Sequence, residues 1–173
     1  AYVCELSIPN KEIESIYYEE ILALLTNNVG EDIVYALQQA IVNKDALALK
    51  NTLSKFLRET ISYYDGLQEN YYHGLLLGMT IIFEDAYYPL SNRESGDGRY
   101  DIELLPKNNL PGILIEIKAV DDSSKENLHK LAKKALEQID VKKYDTELLA
   151  RGVKTIHKYG IAFCKKDVEI VTN

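Results

Sequence analysis

Apolar residues recur at helical spacing through the first half of the chain and at strand spacing through most of the second, and the two regimes meet near Tyr87. Asn10 can cap a first helix, its short side chain accepting from the free amides that follow. Ile13, Ile16, Tyr17, Ile21, Leu24 and Leu25 form the stripe of that helix. Gly30 interrupts it, and Ile33, Leu37, Ala40 and Ile41 resume it. Asn43 is the next expected cap, ahead of Leu47, Leu53, Phe56, Leu57, Ile61 and Tyr64. Asp65-Gly66 is a strong turn signal. Residues 67–83 then form an expected helix that is apolar on most sides, so several of its faces should be buried.

The second half changes period. Residues 100–104 alternate as a strand does, residues 106–112 are a loop rich in turn formers, and residues 113–120 alternate again around Ile115-Glu116-Ile117-Lys118. Ser123 or Ser124 caps a helix with the stripe Leu128, Leu131, Ala132, Ala135, Leu136 and Ile139. Residues 154–165 and 168–171 form a final strand pair turning at Lys165-Lys166-Asp167. The order helix, strand, strand, helix, strand, strand is an α/β (α+β) core with helices in front of it. Residues 1–66 are expected as a helical segment packed on a core of residues 67–173.

Composition narrows the class. A chain of 173 residues with 46% hydrophobic and 27% charged residues can bury one good-sized core. Its best apolar run, residues 75–83, is far short of the roughly 18 residues that a membrane span requires, so no membrane is expected as a partner. Cys4 and Cys164 lack metal-ligand spacing and make a poor disulfide framework, so free thiols in a reducing cytoplasm are the expectation. Opening on Ala1 rather than Met reads as a piece of something longer. The formal charge of −7 means that contact with nucleic acid has to come from a local basic patch or from another domain.

One strand carries groups that a strand avoids. Glu116 and Lys118 are two apart and leave the same face, while Ile115 and Ile117 leave the other. Opposite charges among Ile, Leu and Val are costly unless paired or solvated. If residues 99–105 and 113–120 close as an antiparallel hairpin, Asp101 falls opposite Glu116 or Ile117. Facing carboxylates would then sit roughly 5 Å apart and repel. A divalent cation removes that penalty, and hard oxygen ligands with open positions suit Mg²⁺ (or Mn²⁺). A metal held by Asp101 and Glu116 polarises a phosphate oxygen and acidifies a bound water, and Lys118 can orient that water or stabilise developing charge. That is the equipment for hydrolysing a phosphodiester. The competing structural readings are an exposed i, i+2 ion pair for Glu116 and Lys118, and a turn-bonding strand-start residue for Asp101.

Asp101 followed by Glu116-Ile117-Lys118 on a hairpin flanked by helices resembles the PD-(D/E)XK nuclease superfamily, although Tyr100 stands where the family's usual Pro precedes the Asp. The runs Glu69-Asn70-Tyr71-Tyr72-His73-Gly74, Ser91 to Asp101, and Ala135-Leu136-Glu137-Gln138-Ile139 with Lys143-Tyr144 extend the likeness. They are similar to the nuclease domain found behind an AAA-type ATPase domain in many bacterial proteins. In that group Ile8-Pro9-Asn10-Lys11-Glu12 resembles the segment where the ATPase part ends. The resemblance implies a restriction-endonuclease-like core, with a central mixed sheet flanked by helices and an ATPase domain as partner. It also makes Glu69 a candidate further metal ligand, the alternative being a solvated Glu favoured by the helix dipole.

Other residues complete the candidate site. His73, one turn beyond Glu69, either contacts phosphate or metal or is a buried, hydrogen-bonded His. Gln138 can reach toward Lys118 or a phosphate, or lie on the helix surface. Arg99 can meet a phosphate or pair with Glu103 or Glu116. Lys133 and Lys134, with Lys125, Lys130, Lys142 and Lys143, give the last long helix a basic outer side that can track a nucleic-acid backbone or be a solvated face. Most of the thirteen tyrosines fall in apolar stripes and are expected in the core. Two functions follow: an Mg²⁺-dependent nuclease domain acting on DNA, or an inactive nuclease-like module that binds or assembles with an attached ATPase. DNA against RNA, and monomer against homo-oligomer, are left open.

Overall fold

Residues 31–60, 69–91, 94–122 and 124–173 are described by the computed structural model, and the helix and turn expected within residues 10–30 and 65–66 lie outside them. Helix α1 (Glu31–Val42) turns Ile33, Leu37, Ala40 and Ile41 inward, and α2 (Ala46–Thr60) turns Leu49, Leu53, Phe56 and Leu57 inward. The cap of α2 is Asp45, whose Oδ1 accepts from the Ala48 amide at 2.9 Å, and not the expected Asn43. The chain needs Lys44, at φ 59°, to turn between the helices, so Asn43 still belongs to the end of α1 and bonds Gln39 instead. Helix α3 (Glu69–Met79) runs into a 3-10 turn at Thr80–Phe83. No helix among the described residues is long and apolar enough to cross a membrane.

Among the described residues, seven strands follow the 3-10 turn: β1 (Tyr87–Ser91), β2 (Glu94–Ser95), β3 (Gly98–Arg99), β4 (Ile102–Pro106), β5 (Gly112–Ala119), β6 (Ile156–Cys164) and β7 (Asp167–Thr172). Between β5 and β6 run α4 (Lys125–Val141) and α5 (Thr146–Ala150). The main sheet has the order β1-β4-β5-β6-β7; β5 and β6 are parallel and every other neighbouring pair is antiparallel. A parallel pair needs a crossover, and α4 with α5 supplies it. This is the mixed sheet flanked by helices that a restriction-endonuclease-like core requires.

Alternation along the central strands sorts the two layers. Ile113, Ile115 and Ile117 of β5 join Ile102, Leu104, Tyr159, Ile161 and Phe163 in a core shared with α1, α2 and α3. Leu114 leaves the opposite face and packs with Ile139, Tyr144 and Leu148 of the α4–α5 layer. Tyr72 of α3 stacks on Phe163 with ring centroids 4.2 Å apart and donates its hydroxyl to the Lys165 carbonyl at 2.6 Å, which ties α3 to the end of β6. Stacked aromatic pairs contribute about 1 kcal/mol beyond the area they bury.

Several boundaries differ from those expected. Strand β4 begins at Ile102 rather than Arg99, because residues 94–99 fold back as a separate β2–β3 ribbon. Gly96 closes that ribbon at φ 58°, and a Cβ there would lie 2.2 Å from the Lys142 carbonyl oxygen. Ribbon and helix end are joined by Asp97 N–H to the Lys142 carbonyl (2.8 Å) and by the Ser95 hydroxyl to the Tyr144 carbonyl (2.8 Å). Strand β1, the ribbon and the short α5 were not anticipated. Ser124 does cap α4, its hydroxyl accepting from the Asn127 amide. Tyr72, Tyr87, Tyr100, Tyr144 and Tyr159 are buried, whereas Tyr35, Tyr71 and Tyr88 are exposed; Cys164 is buried and free.

Candidate active site

The register of the β4–β5 hairpin pairs Ile102 with Ile115, and one step further it sets Asp101 across from Glu116. Asp101 lies in the bend just before β4, where its carboxylate is free to turn toward β5. Its Oδ2 accepts from the Ile117 amide at 2.7 Å, which fixes the acid in place. Glu116 and Lys118 leave the face that Leu114 occupies, toward α4. Glu116 is only 2% exposed, and Lys118 Nζ donates to its Oε1 at 2.9 Å. Gln138 of α4 donates Nε2 to the same oxygen and also to the Tyr144 hydroxyl at 3.2 Å.

Helix α4 reaches this close because of Gly160. That residue pairs with Glu116 on β6, and a Cβ on it would stand 2.1 Å from the Ala132 carbonyl oxygen. Behind the Asp101 bend, His73 of α3 meets two groups through Nε2: the Asp101 carbonyl at 3.2 Å and the Ser91 hydroxyl at 2.9 Å. As N–H the ring nitrogen donates to the carbonyl; as a lone pair it accepts from Ser91. Either way α3 and β1 hold the bend that presents Asp101.

The electrostatics are those of two carboxylates short of positive charge. Burial raises the Glu116 carboxyl to about 7, Asp101 and Glu69 add to the rise, and Lys118 opposes it. Burial likewise raises Asp101, against the Ile117 N–H bond and the Lys118 charge, which lower it. Burial works against the Lys118 ammonium, yet its bond to Glu116 and the charges of Glu116, Glu69 and Asp101 leave it more firmly protonated than an ordinary lysine. Oε2 of Glu116 is sealed from solvent and has no hydrogen-bond partner. An unpartnered carboxylate oxygen beside a second carboxylate is a cost that a divalent cation removes. The donor set fits a hard divalent cation, and Asp101 and Glu116 are the residues that would hold it. Among the described residues no group of three or more His, Cys, Asp or Glu side chains is arranged to hold a metal.

Asp101, Glu116, Lys118 and Gln138 are thus brought together, and His73 supports them from behind. Glu69 stands exposed in the first turn of α3, and its charge is felt by Asp101, Glu116 and Lys118. Arg99 sits on the exposed edge of the ribbon and not in the strand that follows Asp101, so the two do not share a strand face. Lys133 and Lys134 are exposed on α4. Sequence reasoning passed over three contributors: Ser91, Gly160 and the hydroxyl of Tyr144. Only Gly160 carried a readable signal, since glycine inside a strand marks a close backbone approach.

Residues 67–173 match the family model described as the PD-(D/E)XK nuclease superfamily, so α3 and everything after it fall within the match, while α1 and α2 precede it. No curated protein matches the chain.

Proposed function

The chain belongs to the PD-(D/E)XK nuclease superfamily, and from that premise we propose that it is a divalent-metal-dependent nuclease domain that hydrolyses phosphodiester bonds of DNA. The observation that carries this reading is the bond from Lys118 to Glu116 beside the Asp101 carboxylate, in a setting where Glu116 keeps one buried oxygen unpartnered.

Asp101 and Glu116 would hold the cation, which when bound supplies Lewis-acid polarisation of a phosphate oxygen and acidification of a bound water. Lys118, kept protonated by its neighbours, places a fixed positive charge beside the scissile phosphate and stabilises the charge that develops there. Gln138 holds the Glu116 carboxylate from the α4 side and is itself positioned beside the Tyr144 hydroxyl. Glu69 is proposed as an outer acidic contributor, through water where it does not reach the metal. Arg99, His73, Lys133 and Lys134 are proposed to contact nucleic acid, His73 chiefly by holding the Asp101 bend. A cytoplasmic setting, an ATPase domain as partner, and a helical segment over residues 1–66 that accompanies the nuclease core complete the proposal. A net charge of −7 supports the partner idea, because an acidic nuclease gains from a second domain that delivers its substrate.

The test is cleavage of end-labelled single- and double-stranded DNA and RNA by the full chain with Mg²⁺ or Mn²⁺, beside Lys118→Ala and an EDTA control. Metal-dependent cutting of DNA that Lys118→Ala abolishes is the expected result. Absence of cutting with every substrate and both metals would favour a nuclease fold retained for binding.

A further inference from the structure

At the pole of the sheet away from Lys118, the β4–β5 loop (residues 107–111) and the α5–β6 loop (residues 151–155) enclose a crevice of about 950 Å³. Leu105 and Pro106 at the end of β4 and His157 of β6 also line it, and beside it the Gly112 amide ties the two loops together by bonding the Thr155 carbonyl at 2.8 Å. Lys107, Arg151 and Lys154 line it, with Asn108, Asn109 and Thr155 between them, and no carboxylate is among the lining residues. In a chain of net charge −7, this concavity carries only cations among its charged lining residues.

The charges are available. Lys107 is exposed; it donates to the Glu84 carbonyl and lies 4.6 Å from the Tyr88 ring centre, contacts that leave its charge uncancelled. Lys154 is exposed, and among the described residues neither lysine has a carboxylate partner. Arg151 pairs with Glu147 at 2.5 Å, but an exposed pair of this kind is worth under about 1 kcal/mol and yields readily to a phosphate, which the guanidinium fork fits as well. Asn108, Asn109 and Thr155 add neutral donors, and the half-exposed face of Tyr88 lies next to Lys107. Burial keeps His157, at the inner wall, below the usual histidine range, so it brings no charge at neutral pH.

We propose that this crevice is a second nucleic-acid contact, an anchoring site for the phosphodiester backbone of the strand engaged at Asp101, Glu116 and Lys118; the inference rests on the nuclease reading given above. Distance sets its character. From Gly112 to Lys118 is six residues along β5, or about 20 Å at the strand rise. A stacked strand advances about 3.4 Å per nucleotide and an extended single strand roughly twice that, so the span is about three to six nucleotides of backbone. Only a strand longer than this reaches both places. The crevice therefore adds affinity for long strands and none for short ones.

The experiment is fluorescence anisotropy with labelled single-stranded DNA of about 2 and about 12 nucleotides, lengths on either side of that span, in EDTA at low salt. The full chain is compared with the double variant Lys107→Glu/Lys154→Glu and, as a charge-matched control, Lys55→Glu/Arg58→Glu on α2, residues with no assigned contact to nucleic acid. All four residues are exposed, so folding is not at stake, and circular dichroism verifies it. The crevice variant should bind the longer strand on the order of tenfold more weakly, with a salt slope about 1–2 lower, and bind the short strand as wild type does. Equal losses in both double variants, an unchanged long-strand affinity, no binding by wild type, or displacement by polyglutamate as effective as by DNA would each overturn the site. Cleavage assays with Mn²⁺ on the same strands judge the nuclease reading separately: wild type that cuts while the crevice variant binds normally leaves that reading standing and removes this one.

Discussion

Gly160 lies directly beneath Ala132, so close that a Cβ on the glycine would fall 2.1 Å from the Ala132 carbonyl oxygen and 2.5 Å from the Leu136 amide nitrogen. Both obstacles are backbone and cannot swing away. Gly160 also pairs with Glu116, so the position that admits α4 is level with the acid that α4 must reach. Gly160→Ala should cost about 1–3 kcal/mol in urea denaturation, the usual range for forced overpacking. It should also reduce cleavage more than stability, since α4 carries Gln138 away from Glu116. A variant as stable as wild type with full activity would show that α4 shifts freely and that the Gln138 contact is dispensable.

Lys118→Ala should behave differently at different pH. At pH 5 Glu116 is protonated, so deleting Lys118 removes little and relieves a half-buried ammonium. At pH 9 the same deletion leaves a buried carboxylate without its cation. Because Lys118 is 27% exposed, screening holds the loss to about 1–2 kcal/mol at the high end. Denaturation midpoints of the variant and wild type should coincide near pH 5 and separate above pH 7. A constant gap across that range would mean that Lys118 stabilises by packing its stem and not through Glu116.

Glu116→Gln should flatten the pH dependence of the metal-free protein. The folded-state value of about 7 lies above the ordinary 4.5, so the folded state holds the proton more tightly than the unfolded one. The associated stability is fully present below pH 4.5 and is lost as pH rises through 7. At about 1.4 kcal/mol per unit, the loss for a group this buried is on the order of 3 kcal/mol. Gln carries no such proton, so the variant should be the more stable protein at pH 8 and lack this slope between pH 4.5 and 7. A retained slope would place the responsible carboxyl elsewhere, with Asp101 the first suspect.

That Asp101 would face Glu116 or Ile117 was legible because strands joined by one loop leave few registers, but the choice between the two was not, since a slip of one residue reverses every face. A cap at Ser123 or Ser124 was legible for a similar local reason. The β2–β3 ribbon was not. Two-residue strands have no period, and this ribbon is held by Lys142 and Tyr144, some 45 residues further along the chain. Arg99 was misplaced as a result, since its strand was expected to continue into Asp101. The cap of α2 failed more simply. Asn43 and Asp45 are both good caps, and only the turn at Lys44 decides between them. The Gln138 contact depends on how closely α4 approaches β6, which Gly160 permits but periodicity cannot measure.

Asp101 offers the sharpest separation of structure from chemistry. Its Oδ2 bond to the Ile117 amide can be kept by the carbonyl oxygen of Asn but not by Ala. Asp101→Asn should therefore fold like wild type, whereas Asp101→Ala should lose about 1–2 kcal/mol because a backbone N–H is left without its acceptor. Calorimetric titration of Mn²⁺ then tests the other role. Removing one of two carboxylate charges should weaken Mn²⁺ binding at least tenfold in both variants, whatever their stability. If Asp101→Asn binds Mn²⁺ as wild type does, Asp101 is a structural acceptor for Ile117 and not a ligand, and Glu116 would need a different partner for the cation. If affinity falls in both while stability falls only in the Ala variant, the carboxylate holds β5 with one oxygen and serves the metal with its charge.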